Sequence, residues 1–147
     1  MKLAVVGTGL VGLALARVLQ KQFPEDELTL IDESPLQGGA SHIAAGMVHT
    51  LVGHEGKKHP EGAEAFFSAL QLIREVEDFT GEKLFQQGLL RIPRDARFKE
   101  PLQASNPGAW LSTEQAFFKS EGSMSIEGLW IKEGGQLFVE RYLHGLL

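Results

Sequence analysis

Gly7, Gly9 and Gly12 follow a short apolar run, Leu3 to Val6, and this junction restricts the fold more than any other feature of the chain. The run is bounded by glycine and suits a strand buried on both faces. Leu10 to Gln20 then carry helix formers at helical spacing, with Leu10, Leu13 or Ala14, and Val18 on one side. Gln22 to Glu27 is a polar, proline-bearing connection, and Leu28 to Ile31 is a second strand ending at Asp32-Glu33. A β–α–β order of this kind demands a parallel strand pair with a right-handed crossover. The expected fold class is therefore α/β, with a Rossmann-like parallel sheet.

Each glycine of the Gly7-x-Gly9-x-x-Gly12 spacing answers a separate physical demand. The first permits the tight turn from strand to helix. The second, lacking a Cβ, lets the backbone approach a pyrophosphate, and the third lets the helix pack close to the strand. The helix N-terminus directs free N–H groups toward phosphates. Asp32, twenty residues beyond Gly12, is placed to accept hydrogen bonds from an adenosine ribose, and together with Glu33 it disfavours a 2′-phosphate. The ligand class expected from these residues is an adenine dinucleotide.

Further along, Ser34 to Gly62 is rich in Gly, Ala, Ser and His without a sustained period, and reads as a long functional loop with a short helical turn near Ala44-Ala45. Glu61 to Thr80 reads as a helix: Pro60 stands at its start, Ala63, Phe66, Phe67, Leu70, Ile73 and Val76 or Glu77 trace one face, and Gly81 ends it. Leu84 to Ile92 reads as a strand with a bulge at Gly88, and Pro93 to Gly108 as irregular or weakly helical. Ser112 is a candidate N-cap for a short helix over Thr113 to Lys119, Ser125 to Lys132 a further strand, and Gly134-Gly135 a turn. Val139 to Leu147 reads as a helix whose Leu143, Leu146 and Leu147 present apolar surface with no later element to receive it. The expected organisation is one Rossmann-like domain over residues 1–147, with 84–132 opening a substrate-side subdomain.

The charge of −5 gives no concentrated basic surface for nucleic acid, and Lys57-Lys58 is flanked by Glu55 and Glu61. No apolar run reaches the length of a membrane span. Without cysteine there is no disulfide framework, thiolate nucleophile or Cys-based metal site, and a cytoplasmic location is the default. His42, His49, His54 and His59 do not follow metal-ligand spacing, so no metal is expected. Arg91 and Arg94 offer a bidentate clamp for a carboxylate, although solvated arginines at a strand end are the commoner reading. The aromatic residues are expected in the core, and no Ser-His-Asp arrangement or carboxylate pair emerges from spacing.

Gly39-Ala40-Ser41, followed by Ala44-Ala45-Gly46-Met47, adds a second motif just after the ribose acid. Together with the glycine turn and Asp32-Glu33, it resembles the N-terminal half of the FAD-dependent oxidoreductases of the D-amino-acid-oxidase-like family, among them glycine and sarcosine oxidases. Phe85 to Ile92 and Gly134 to Leu147 resemble that family more loosely. The resemblance implies FAD as cofactor and oxidation of an amine or amino-acid-like small molecule by hydride transfer to the flavin. It implies FAD contacts from Gly7, Gly9, Leu10, Val11 and Gly12 at the turn, and from Asp32 and Glu33 at the ribose. Ala40 and Ser41 would reach the pyrophosphate, and Ala45, Gly46 and Met47 would lie beside the flavin. Ile43 stands where some relatives carry a histidine that attaches FAD covalently, so no covalent link is expected. His42 or His49 is a candidate for stabilising a negative flavin or a carboxylate substrate. No catalytic acid or base is nameable. Because the resemblance covers only the first half of a typical member, the expected assembly is either a homo-oligomer or a unit completed by a C-terminal half. Two other readings are a non-catalytic dinucleotide-binding module and an NAD-dependent enzyme or sensor.

Overall fold

The structure, a computed structural model, describes residues 1–36, 39–112 and 127–147. It divides into two compact units, one made of Met1–Gly46, Ala69–Phe85 and Leu137–Leu147, the other of Met47–Ser68 and Gln86–Gln136. The fold is α/β, as the β–α–β reading requires.

In the first unit, β1 (Lys2–Val6) pairs in parallel with β2 (Glu27–Ile31), in a register running from Lys2 opposite Glu27 to Val6 opposite Ile31. Helix α1 (Leu10–Gln22) makes the crossover and buries Leu13 and Ala16. The later part of α2 (Gly62–Thr80) contributes buried Ile73 and Val76, and α4 (Val139–Leu146) contributes Val139, Tyr142 and Leu143. Gly145 lies so close to α2 that a Cβ there would stand 2.4 Å from Val76 Cγ1. The C-terminal helix corrects the expectation in part: Leu143 is buried, 2% exposed, whereas Leu147 remains exposed at 63%. Gly81 ends α2 with a left-handed φ of +71°. Glu77 then ties the helix to the segment after it, its Oε1 accepting from the N–H groups of Leu84 (2.7 Å) and Phe85 (2.9 Å).

The second unit is built around β8 (Gly128–Leu137). Strand β3 (Met47–Val48) runs antiparallel to it with Met47 opposite Gln136, and β7 (Trp110–Leu111) antiparallel with Trp110 opposite Leu129. Strand β6 (Phe85–Arg91) is the remaining neighbour of β8. A small hairpin, β4 (Leu51–Val52) with β5 (Lys57–Lys58), and helix α3 (Lys99–Ser105) complete it. Leu51, Leu102, Leu129 and Ile131 form its buried cluster, with Leu89, Ala109 and Trp110 packed against it. The short strands β3, β4 and β5 thus occupy part of the stretch expected to be loop, and α3 falls within Pro93 to Gly108, expected to be irregular or weakly helical. Their signals are too short for periodicity, and cross-strand packing decides them.

Gly134-Gly135 is not a turn but part of β8. The glycine is demanded by proximity: a Cβ on Gly134 would stand 2.9 Å from Ile131 Cγ2 and 3.2 Å from both His49 Cβ and Val48 O. Gly88 in β6 answers a similar demand, with φ +99° and the Trp130 ring 2.6 Å from where a Cβ would sit. The expected helix over Thr113 to Lys119 and the first residues of the strand expected from Ser125 lie outside the described residues.

Candidate functional site

The parallel register sets up the site. Because Val6 stands opposite Ile31, the next residues of both strands emerge side by side, and the Gly7 N–H donates to Ile31 O at 2.8 Å. Gly7, at φ +98°, turns the chain, and the approach of α1 to the turn is so close that a Cβ on Gly12 would fall 1.8 Å from Gly7 O. A backbone carbonyl cannot rotate away as a side chain can, so this position admits glycine alone.

Thr8, between two of the glycines, is 4% exposed and is the buried polar residue of this turn. Its N–H and its hydroxyl both donate to Asp32 Oδ2, at 2.6 and 2.9 Å. The Thr8 Oγ1 also accepts from the Leu36 N–H at 3.4 Å, where Leu36 adopts φ +59°, uncommon outside glycine. Asp32 Oδ1 accepts from the Ser34 N–H at 2.9 Å. These donors favour the carboxylate and hold its pKa below the usual range: the Thr8 N–H most, then the Ser34 N–H, then the Thr8 hydroxyl. Asp32 is an anchored anion.

Across from the turn, Ser41 comes from the loop after β2. Its Oγ accepts from the Leu10 N–H at 3.1 Å, satisfying one of the free donors at the start of α1, whose N-cap Gly9 has no side chain to do so. A Cβ on Gly9 would meet this same Ser41 Oγ at 2.9 Å. Turns within the loop, His42 N–H to Gly39 O at 3.0 Å and Ala44 N–H to Ser41 O at 3.3 Å, set its position.

A cavity of about 300 Å³ results, lined by the turn (Thr8, Gly9), the end of β2 (Asp32, Glu33, Ser34) and the Ser41 loop, with Leu143 of α4 on one side. It lies in the size range of small-molecule sites. Of the residues expected from sequence, Gly9, Asp32, Glu33 and Ser41 meet on this cavity. Gly7, Leu10, Gly12, Ala40 and Ala45 do not line it, and Val11 is exposed. Gly46 belongs to the same unit, its carbonyl accepting from the Leu137 N–H at 2.7 Å; Met47 begins the other unit, paired with Gln136 in the sheet. Sequence reasoning missed Thr8, Ser34 and Leu143. For Thr8 a signal existed: a hydroxyl inside a glycine turn whose strand is in register with the strand carrying the acid.

In the second unit, Arg91 donates to Leu51 O at 3.2 Å and also to Gly53 O, so its guanidinium clamps the β4–β5 hairpin. These bonds give Arg91 a structural role in the hairpin that neither the solvated strand end nor the carboxylate clamp anticipated. His49, half-buried, accepts on Nδ1 from the Leu51 N–H at 3.2 Å; burial first, and nearby Arg91 second, lower its pKa. The His54 and Phe98 rings meet at a tilt of 37°, their centroids 4.9 Å apart. Among the described residues no group of three or more His, Cys, Asp or Glu is placed to hold a metal, and no helix is long and apolar enough to cross a membrane.

Comparisons with known proteins bear on this geometry. The family model of the DAO, FAD dependent oxidoreductase, family matches residues 2–147. Comparison with curated proteins finds no significant match. Among solved structures, glycine oxidase from Geobacillus kaustophilus is similar at TM-score 0.71 and 20% identity, over 98% of this chain and 42% of that one. Glycine oxidase from Bacillus cereus ATCC 14579 gives 0.72 and 17%, over 99% and 42%. Iminodiacetate oxidase from Chelativorans sp. BNC1 gives 0.64 and 18%, over 100% and 43%. The chain thus spans about two fifths of each solved structure, and at these identities the likeness shows the fold. With the family model matched almost end to end, the chain belongs to the DAO family of FAD-dependent oxidoreductases.

Proposed function

We propose that this chain provides the FAD-holding part of an oxidoreductase acting on an amine or amino-acid-like substrate. The observation that carries the reading is the meeting of the glycine turn, anchored Asp32 and Ser41 on one cavity. The residues fit the cofactor: the cradle at Gly9 is one that a Cβ would fill, the carboxylate of Asp32, a hydrogen-bond acceptor, lines the same cavity, and helix N–H donors stand at the start of α1. Gly9 and the first turn of α1 would receive the pyrophosphate beside Ala40 and Ser41, and Asp32 with Glu33 the adenosine ribose. When bound, the flavin supplies the redox chemistry, accepting a hydride from a substrate C–H beside nitrogen. The chain's own contribution is to bind and orient it. The substrate class is supported by the names of the solved structures it resembles, glycine oxidase and iminodiacetate oxidase.

A second reading is favoured by the two-fifths coverage and by the strand pairing of β1, which among the described residues is with β2, leaving Val6 79% exposed. A two-stranded sheet is marginal alone. On this reading the chain is a dinucleotide-binding module that needs a further polypeptide to act. The test is to purify the chain, record its visible spectrum and identify the nucleotide released on denaturation. A flavin spectrum with FAD released supports the first reading. A colourless chain that takes up FAD only with a complementary second half supports the second, and a colourless chain that binds NAD overturns both.

A further inference from the structure

Asp32 has four lone-pair positions, as any carboxylate does, and the structure fills them unevenly. Both positions on Oδ2 are taken by Thr8, through its N–H and its hydroxyl. On Oδ1 one position is taken by the Ser34 N–H. Among the described residues, one acceptor position, on Oδ1, is left for a ligand in the cavity. We propose that Thr8 is a positioning residue that commits Oδ2 and turns Oδ1 toward the nucleotide, so that Asp32 reads one ribose hydroxyl and not two.

This inference rests on the FAD reading and deepens it. The Thr8 hydroxyl is buried and held at both ends, donating to Asp32 and accepting from Leu36, so it has one orientation in which both bonds are made. Without that hydroxyl, Oδ2 recovers a free position and the carboxylate can turn, so that either oxygen meets either ribose hydroxyl. Rotational freedom, not loss of the acid, is the expected consequence.

The experiment measures the affinities of ADP, 2′-deoxy-ADP and 3′-deoxy-ADP by calorimetry, for the unaltered chain, Thr8→Val and Thr8→Ser. In the unaltered chain, removal of one hydroxyl should weaken binding roughly tenfold, as loss of a hydrogen bond to a charged group does, and removal of the other about twofold or less. Thr8→Val, which keeps the shape, should bring the two analogues within about twofold of each other; Thr8→Ser should restore the difference. A merely structural role for Thr8 would weaken all three ligands alike and leave their ratios unchanged. Equal losses from both analogues in the unaltered chain, or an undiminished difference in Thr8→Val, would overturn the proposal while leaving nucleotide binding standing. An unaltered chain that binds neither ADP nor FAD removes the FAD reading, and this inference with it. Should Thr8→Val fail to fold, Thr8→Ala, which also lacks the hydroxyl, supplies the same comparison, and an undiminished difference there overturns the proposal.

Discussion

The turn between β1 and α1 and the strand β8 both depend on glycines, but for opposite reasons. At the turn the constraint is local. Gly12 is required by Gly7 O, five residues away, and any sequence placing a strand directly before such a helix meets the same carbonyl. In β8 the constraint comes from elsewhere in the chain. Beside Ile131 of its own strand, Gly134 is crowded by His49 and Val48, which approach it because β3 pairs with β8. A local demand leaves a pattern in the sequence, and a distant one leaves only a glycine.

The largest expected effect tests the local side. Gly12→Ala puts a methyl carbon within bonding distance of a backbone oxygen, so the helix must move off the strand. Overpacking usually costs about 1–3 kcal/mol, and with no side chain able to yield this case should reach or exceed the top of that range. Urea unfolding followed at Tyr142, the single tyrosine and part of the first unit, measures it. A loss below about 1 kcal/mol would show that the turn tolerates the approach and that the glycine is not locally dictated.

Leu129→Ala tests the other region. Leu129 is fully buried in the cluster with Leu51, Leu102 and Ile131, and its truncation should cost about 2–5 kcal/mol. Trp110 and Trp130 are the two tryptophans of the chain and both lie in the second unit, so their fluorescence follows this loss. Gly134→Ala should cost less, about 1–2 kcal/mol, because the nearest atom is the Ile131 branch methyl at 2.9 Å and the nearest backbone oxygen, Val48 O, stands at 3.2 Å. Were Gly134→Ala as damaging as Gly12→Ala, the contrast between a carbonyl and a side-chain neighbour would carry no weight.

The same contrast explains how much was legible in the sequence. The β–α–β unit, the glycine turn, Asp32 and the course of α2 could be read because period and spacing encode them within about thirty residues. Register then made Thr8 deducible in principle, since parallel strands of equal length bring Thr8 near Asp32. The role of Arg91 could not be read. A guanidinium at a strand end looks the same in sequence whether it meets solvent, a substrate or, as here, the carbonyls of Leu51 and Gly53. The buried part of the apolar face of α4 looked unsatisfied for the same reason: its receiving surface, with Val76 against Gly145, is far away along the chain.

The smallest effect is absent at neutral pH and appears only in alkali. Tyr142 is buried, and its pKa is pushed up to about 12, by burial first and by the charge of Glu75 second. The folded state therefore holds the phenolic proton more tightly than the unfolded chain, whose tyrosine titrates near about 10. This contribution to stability is fully present below pH about 10 and is lost as pH rises through the folded pKa. Tyrosinate absorbance should accordingly show a midpoint near 12 in the folded chain and near 10 in urea. Tyr142→Phe should unfold at neutral pH much as the unaltered chain does, because the phenyl ring keeps the buried packing. In alkali the part of the stability loss that belongs to this proton should vanish in the variant. A folded-state midpoint near about 10 would mean that α4 leaves Tyr142 open to solvent, against the packing that buries it beside Leu143.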